Sequence, residues 1–156
     1  MPDRLAALIR ERQPCVVLTG AGISTESGIP DFRSPSGIWA TLDPMEYASL
    51  SAFRRDPERV WSFYRLRIQM LTEAEPNRAH LALAALERRG LVAGLVTQNI
   101  DMLHERAGTQ QLVEVHGSIR SATCQTCRAT QPLPAVLAQL ETSDSAPRCP
   151  TCEGLL

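Results

Sequence analysis

Three apolar runs constrain this chain most, because each stops at a polar or glycine-rich segment and helical sequence lies between the first two. Cys15-Val-Val-Leu-Thr19 is a compact run of strand length that ends at Gly20, where the chain must turn. Leu91 to Thr97 forms a second such run and Leu112 to Val115 a third. Continuous apolar runs, rather than alternating ones, are those of strands covered on both faces, as in parallel sheets. Strands alternating with helices predict an α/β fold built on a doubly wound, Rossmann-like parallel sheet. Three strands are few for such a sheet, so the expected sheet is incomplete.

The helices are marked by their ends. Residues 3–12 read as a short amphipathic helix with Leu5, Leu8 and Ile9 on one side. Residues 30–56 carry Pro30, Pro35, Gly37 and Pro44 and read as a long loop with at most short helices. Asp56-Pro57 supplies an N-cap and a proline at the first helical position. The helix that follows presents Val60, Trp61, Phe63, Tyr64, Ile68 and Leu71 at helical spacing. Asn77 opens another helix through Leu81, Leu83, Ala84 and Leu86, with Gly90 as its C-terminal cap. A short helix from about Asp101 to Ala107, closed by Gly108, precedes the third strand. The expected organisation is an N-terminal part of a nucleotide-binding domain over 1–117, with a helical insertion at about 44–90, and a small module over 118–154.

That module is defined by Cys124-x-x-Cys127 and Cys149-x-x-Cys152, with 21 residues between the pairs. The gap is slightly longer than in the usual zinc ribbon, and a loop can absorb it. Four soft thiolates predict tetrahedral structural zinc, with iron the minor alternative. Cys15, on a strand, reads as a core residue.

Two further segments carry chemistry. A strand running into Gly20-Ala21-Gly22 puts small residues where a backbone can approach a pyrophosphate closely. Thr25 stands where G-x-G-x-x-G would have its third glycine, so a plain strand-to-loop turn stays open on this motif alone. Thr97-Gln98-Asn99-Ile100-Asp101 follows the second strand at the carboxyl edge where open α/β sheets bind ligands. Its two carboxamides and one carboxylate suit an amide and ribose hydroxyls, and one of them also suits a helix cap. His116 ends the third strand at the same edge, beside Gly117. His80 and His104 fall within helices among apolar neighbours and read as structural.

Composition sets outer bounds. A net charge of −1 provides no basic field for nucleic acid or an anionic membrane. No apolar run approaches a membrane-spanning length, and the early apolar stretch Leu5 to Ile9 is too short for a secretory h-region. A cytoplasmic location follows as the expectation, in which paired cysteines favour metal over disulfides.

The order Gly20-Ala-Gly-Ile-Ser24, Gly28-Ile-Pro-Asp-Phe-Arg33, Thr97-Gln-Asn-Ile-Asp101, His116-Gly117 and two C-x-x-C pairs closely resembles the sirtuins, the NAD-dependent protein-lysine deacylases. The resemblance runs from about Cys15 to Leu156. It implies that Gly20, Ala21, Gly22, Asp31, Phe32, Arg33, Gln98, Asn99, Ile100 and Asp101 line an NAD site. The stretch after Arg33 is then a cover that orders when NAD binds. His116 is implied as general base on a ribose hydroxyl, after the acyl oxygen of a modified lysine has displaced nicotinamide. The products are free lysine, nicotinamide and O-acyl-ADP-ribose.

Sirtuins that remove succinyl or malonyl groups carry a Tyr-x-x-Arg like Tyr64 and Arg67, with a small alanine for which Ala48 is a candidate. The alternative is an Arg67 that reaches solvent beside a Tyr64 packed in the core. Sirtuin chains also continue past the zinc module, so the resemblance implies a C-terminal part that is absent here. Self-association through uncovered apolar surface is a further expectation. Acylated-lysine proteins are the implied partners. An inactive fragment, an NAD- or zinc-binding module and a mono-ADP-ribosyltransferase are the competing readings.

Overall fold

The computed structural model describes residues 2–156. In chain order the elements are α1 (Pro2–Arg12), β1 (Cys15–Thr19), a 3-10 segment (Ala21–Ser27), a 3-10 turn (Ile38–Ala40), α2 (Pro44–Tyr47), α3 (Leu50–Arg55), α4 (Pro57–Glu73) and α5 (Arg78–Arg88). They continue with β2 (Val92–Thr97), α6 (Leu103–Arg106), β3 (Leu112–Glu114), β4 (Ser121–Thr123), β5 (Thr130–Pro132) and α7 (Leu133–Thr142). Among the described residues no helix is long and apolar enough to cross a membrane. These elements form two compact units. One is the chain through Asp31 together with Ala74–Ser118, and the other is Phe32–Glu73 together with Ile119–Leu156.

The first unit holds a parallel sheet in the order β1-β2-β3. Its register pairs Val17 with Leu95, Thr19 with Thr97, Leu95 with Leu112 and Thr97 with Glu114. Strand residues alternate between faces, so the register sorts the side chains. Val17, Thr19, Leu95 and Thr97 share one face, where Leu95 and Thr97 are buried and α5 packs with its buried Ala84 and His80. Val16, Leu18 and Val113 share the other face and are 69%, 69% and 56% exposed. That face is bare apolar surface. Gly90 follows α5 at φ +72°, as its cap position requires, and Gly28 closes the 3-10 segment at φ +85°.

The second unit is organised by α4. Asp56 caps it, its Oδ1 accepting from the Arg59 N–H at 3.0 Å, and Pro57 occupies the first helical position. Glu58, Trp61 and Arg65 lie one turn apart on one side of α4. Glu58 accepts from the Ala146 N–H, the Trp61 indole donates to the Leu156 carbonyl at 2.9 Å, and Arg65 pairs with Asp144 at 2.8 Å. The core beneath consists of Cys124, Val136, Leu140, Cys149 and Leu156, with Trp61, Ala122 and Ala129 packed against it. Antiparallel β4 and β5 lead into α7.

The helical insertion expected at about 44–90 therefore divides. Helices α2 to α4 group with the cysteine module because α4 bonds to it, while α5 packs on β2. The stretch 30–56 is loop with short helices, as its prolines dictate.

Candidate functional site

In the first unit, the carboxyl ends of β1, β2 and β3 gather a polar cluster. Gln98 N–H donates to the Thr19 carbonyl at 3.1 Å, extending the β1–β2 ladder to the turn. A Cβ on Gly20 would stand 3.8 Å from the Gln98 amide nitrogen, so the glycine turn lies directly against the polar segment. Asn99 is buried and donates its side-chain N–H groups to the Gly20 carbonyl at 3.2 Å and to Ser24 Oγ at 3.1 Å. Asp101 is 4% exposed, and its oxygens accept from Ser24 Oγ at 2.7 Å and from the Leu103 N–H at 2.9 Å. Met102 takes a left-handed conformation at φ +61°, which lets Asp101 fold back over the start of α6.

His116 is exposed, and its Nδ1 lies 3.0 Å from the Gln98 carbonyl. A carbonyl can only accept, so Nδ1 carries the proton and Nε2 is left as a basic lone pair. Gly20, Ala21, Gly22, Asp31, Gln98, Asn99, Ile100, Asp101 and His116 all belong to this unit, whereas Phe32 and Arg33 belong to the second.

His80 and His104 are fully buried, and polar side chains from other elements stand against their rings. The rings meet edge to face at 4.7 Å. His104 contacts Thr19 Oγ1 at 2.9 Å and His80 faces Ser24 Oγ at 3.5 Å. Burial pushes the His104 pKa down to about 4, with the His80 charge adding and Asp101 opposing. Burial also lowers that of His80, again against Asp101.

In the second unit the four cysteine sulfurs lie within 4.8 Å of one another, Cys124 to Cys152 at 3.5 Å and Cys127 to Cys149 at 3.6 Å. None is disulfide-bonded. The Cys127 and Thr126 N–H groups point at Cys124 Sγ and lower its pKa to about 6. The Thr151 N–H does the same, more weakly, for Cys149. Four converging sulfurs, two of them held toward the thiolate, fit tetrahedral zinc.

Tyr64 and Arg67 sit on the side of α4 that carries Phe63. The Arg67 guanidinium stacks 5.0 Å from the Phe32 ring centre and 5.5 Å from that of Phe63. Phe32, Trp39 and Phe63 stack in series, and Tyr47 and Tyr64 lean on Phe63. Burial lowers the Arg67 pKa, with Tyr64 opposing, and burial raises that of Tyr64. Arg67 is thus half-buried on aromatic faces rather than extended into solvent. Ala48 ends α2 as its C-terminal cap residue.

Comparison with known proteins is decisive for the family: the model of the Sir2 family matches residues 20–156. The chain belongs to the Sir2 family. It is similar to an NAD-dependent protein deacylase of Thermus thermophilus, with 49% identity over 92% of this chain and 56% of the relative. An NAD-dependent protein deacetylase of Caldivirga maquilingensis is 43% identical over 98% of this chain and 59% of its own length. Among solved structures, a Sir2–p53 peptide–NAD+ complex is similar at a TM-score of 0.85 and 38% identity, covering 99% of this chain and 61% of that one. A mutant Sir2 homologue bound to ADP-ribose gives 0.86 and 40% over 99% and 61%. This Sir2-family chain spans about three-fifths of the length of the curated relatives it matches.

Several residues that build the site escaped the sequence reading. Thr19 and Thr97 end their strands at paired positions and join hydroxyl to hydroxyl at 2.9 Å; two runs stopping on the same residue type was the available signal. Asn77, an N-cap by its sequence position, also donates to the Ile23 carbonyl and Ser27 Oγ and so ties α5 to the 3-10 segment. Gly154 had no signal. A Cβ there would meet Thr126 Oγ1 at 2.5 Å and Cys124 Sγ at 3.1 Å.

Gly154→Ala is accordingly expected to weaken zinc binding by about 10- to 100-fold, the range for residues that support metal ligands. Competition against a chromogenic chelator measures this, and unchanged affinity would exclude the crowding argument. A second expectation concerns pH. Because both buried imidazoles are held neutral, the unfolded chain binds more protons than the folded one below its ordinary pKa near 6.5. The first unit is therefore fully stabilised above about pH 6.5 and loses stability as pH falls toward about 4. Hydrogen exchange at the β2 amides, corrected for intrinsic rate, reads this unit alone; protection that stays constant across the window contradicts it.

Proposed function

We propose that this chain serves an NAD-dependent protein-lysine deacylase, removing acetyl or longer acyl groups to give nicotinamide and O-acyl-ADP-ribose. The observation that carries the proposal is the His116 tautomer: with Nδ1–H donated to the Gln98 carbonyl, Nε2 is oriented as a base at the carboxyl edge of the sheet. General-base catalysis of this kind contributes roughly 10²–10⁴-fold. Gly20, Ala21 and Gly22 offer backbone to a pyrophosphate, and Asp31 is proposed to extend that cofactor site. Gln98, Asn99, Ile100 and Asp101 are proposed to hold the nicotinamide and ribose. Asn99 and Asp101 are suited to this because their buried hydrogen bonds fix them before any ligand arrives. NAD supplies the leaving nicotinamide and the ADP-ribose acceptor. Relatives named as deacetylases and deacylases support the reading. So do the solved homologues bound to NAD+ and ADP-ribose.

Acylated-lysine proteins are the proposed substrates, and the cytoplasm is the proposed location, in keeping with cysteines that form no disulfide while four of them converge as metal ligands would. The bare face of Val16, Leu18 and Val113 favours a second reading, in which a further segment or a second copy is needed before turnover.

The deciding experiment measures NAD-dependent nicotinamide release by the zinc-loaded chain with acetyl-lysine and succinyl-lysine peptides. Peptide-dependent release establishes that NAD is consumed with the acylated peptide, and steady-state formation of deacylated peptide that falls at least 10²-fold in His116→Ala supports deacylation. Undiminished peptide deacylation in that variant sinks the assignment, label transfer to protein indicates ADP-ribosyl transfer, and no release indicates a binding module.

The half-buried Arg67, stacked on Phe32 and Phe63 beside Tyr64, further suits an acyl group that ends in a carboxylate. Arg67→Met should cut desuccinylation by about 10- to 100-fold while deacetylation changes far less, the loss of one charge-assisted bond. Equal losses on both peptides would remove the idea.

A further inference from the structure

The two buried histidines fix their own tautomers. His104 Nε2 lies 2.9 Å from Thr19 Oγ1, while its Nδ1 is buried with no partner among the described residues. A proton on Nδ1 would be a buried N–H without an acceptor, which is rarer and costlier than a bare acceptor lone pair. The proton therefore sits on Nε2, and Thr19 Oγ1 accepts it. The Thr19 hydroxyl then donates to Thr97 Oγ1 at 2.9 Å, and Thr97 Oγ1 also accepts the Asn99 backbone N–H at 3.1 Å. His80 repeats the pattern in a neighbouring line. Its Nδ1 accepts the Asn77 N–H at 3.3 Å, so its Nε2–H faces Ser24 Oγ, and Ser24 donates to Asp101.

We infer that His104 is a positioning residue: as its Nε2–H tautomer it heads a one-way hydrogen-bond chain, His104 to Thr19 to Thr97, that fixes the carboxyl ends of β1 and β2 against each other. The chain ends where the candidate site begins. Thr19 precedes Gly20, whose carbonyl receives the Asn99 side chain, and Thr97 holds the Asn99 backbone. Asn99 is thereby gripped from both strands, and the glycine turn is set relative to its carboxamide. His104 touches no ligand in this scheme; it acts through the two threonines. Only the identity of that ligand, a nicotinamide dinucleotide, rests on the proposed function.

Nitrogen NMR of the imidazoles in the intact 156-residue chain at neutral pH tests the tautomer directly. We expect a pyrrole-type Nε2 and a pyridine-type Nδ1 for His104; the reverse, or a doubly protonated ring, overturns the inference. Hydrogen exchange tests the role. His104→Leu should speed exchange about tenfold at the Ile23, Gln98 and Asn99 amides and leave Leu95, mid-strand in β2, unchanged. His104→Gln, which keeps a donor toward Thr19, should restore the slow rates. Uniform acceleration including Leu95, or failure of His104→Gln to restore, would reduce His104 to generic packing. Calorimetry with ADP-ribose adds the link to binding, with affinity about tenfold weaker in His104→Leu and recovered in His104→Gln. Absence of ADP-ribose binding by the unmodified chain would count against the proposed function, and the tautomer and exchange results would still decide this inference.

Discussion

One buried carboxylate sets the terms for the first unit. Asp101 is 4% exposed, and an ionised carboxylate at such a site requires donors on its oxygens. Ser24 Oγ and the Leu103 N–H supply them, and each has a structural consequence. Ser24 must be brought in by the 3-10 segment after the glycine turn, which Asn77 holds at the Ile23 carbonyl and Ser27. Leu103 must start a helix immediately, which Met102 permits by taking a left-handed conformation. The turn, the cap of α5 and the start of α6 are thus conditions for burying one carboxyl group with its hydrogen bonds made. A parallel sheet delivers all of these to the same edge, because the carboxyl ends of its strands coincide.

The second unit solves a different problem with one helix. Helix α4 uses Glu58, Trp61 and Arg65 to bond the cysteine module and Phe63, Tyr64 and Arg67 to build an aromatic box. A 17-residue helix has faces enough for both, because positions three and four apart align while those between point elsewhere. The consequence is that the cysteine module and the arginine box are both attached to one helix. The core under the cluster is small, with Val136, Leu140 and Leu156 as its main aliphatic content. A core of that size depends on additional cross-linking, which a four-thiolate zinc site provides.

Local signals were legible and convergence was not. Strand runs ending at Gly20 and at Gln98, the Asp56-Pro57 and Asn77 helix starts, the Gly90 cap and the paired cysteines all act through the few residues around them. Such signals survive in sequence because backbone conformation is decided locally. Division of the helical region at Ala74 was invisible, since it depends on bonds from α4 to residues about 80–95 positions later. The polar partners of His80 and His104 were invisible for the same reason. Their sequence neighbours are apolar, but side chains that meet their rings come from the 3-10 segment and β1, 56 and 85 positions away respectively. Gly154 matters only because Thr126 and Cys124 arrive opposite it.

Three histidines show how one side chain is given different chemistry by its partners. His116 meets a carbonyl, which forces the proton onto Nδ1 and leaves Nε2 as a bare lone pair on an exposed ring. His80 meets a backbone N–H, which forces the opposite tautomer and turns the remaining nitrogen into a donor. His104 meets a hydroxyl that could serve either way, and there the missing partner at Nδ1 decides. Burial lowers the pKa of the second and third rings, so that both are neutral donors and acceptors near neutral pH. Only the exposed ring keeps a lone pair that a proton from outside the chain can reach. Identifying the catalytic candidate in such a chain is therefore a question about the neighbour at the other ring nitrogen, and burial alone would have given the answer only in part.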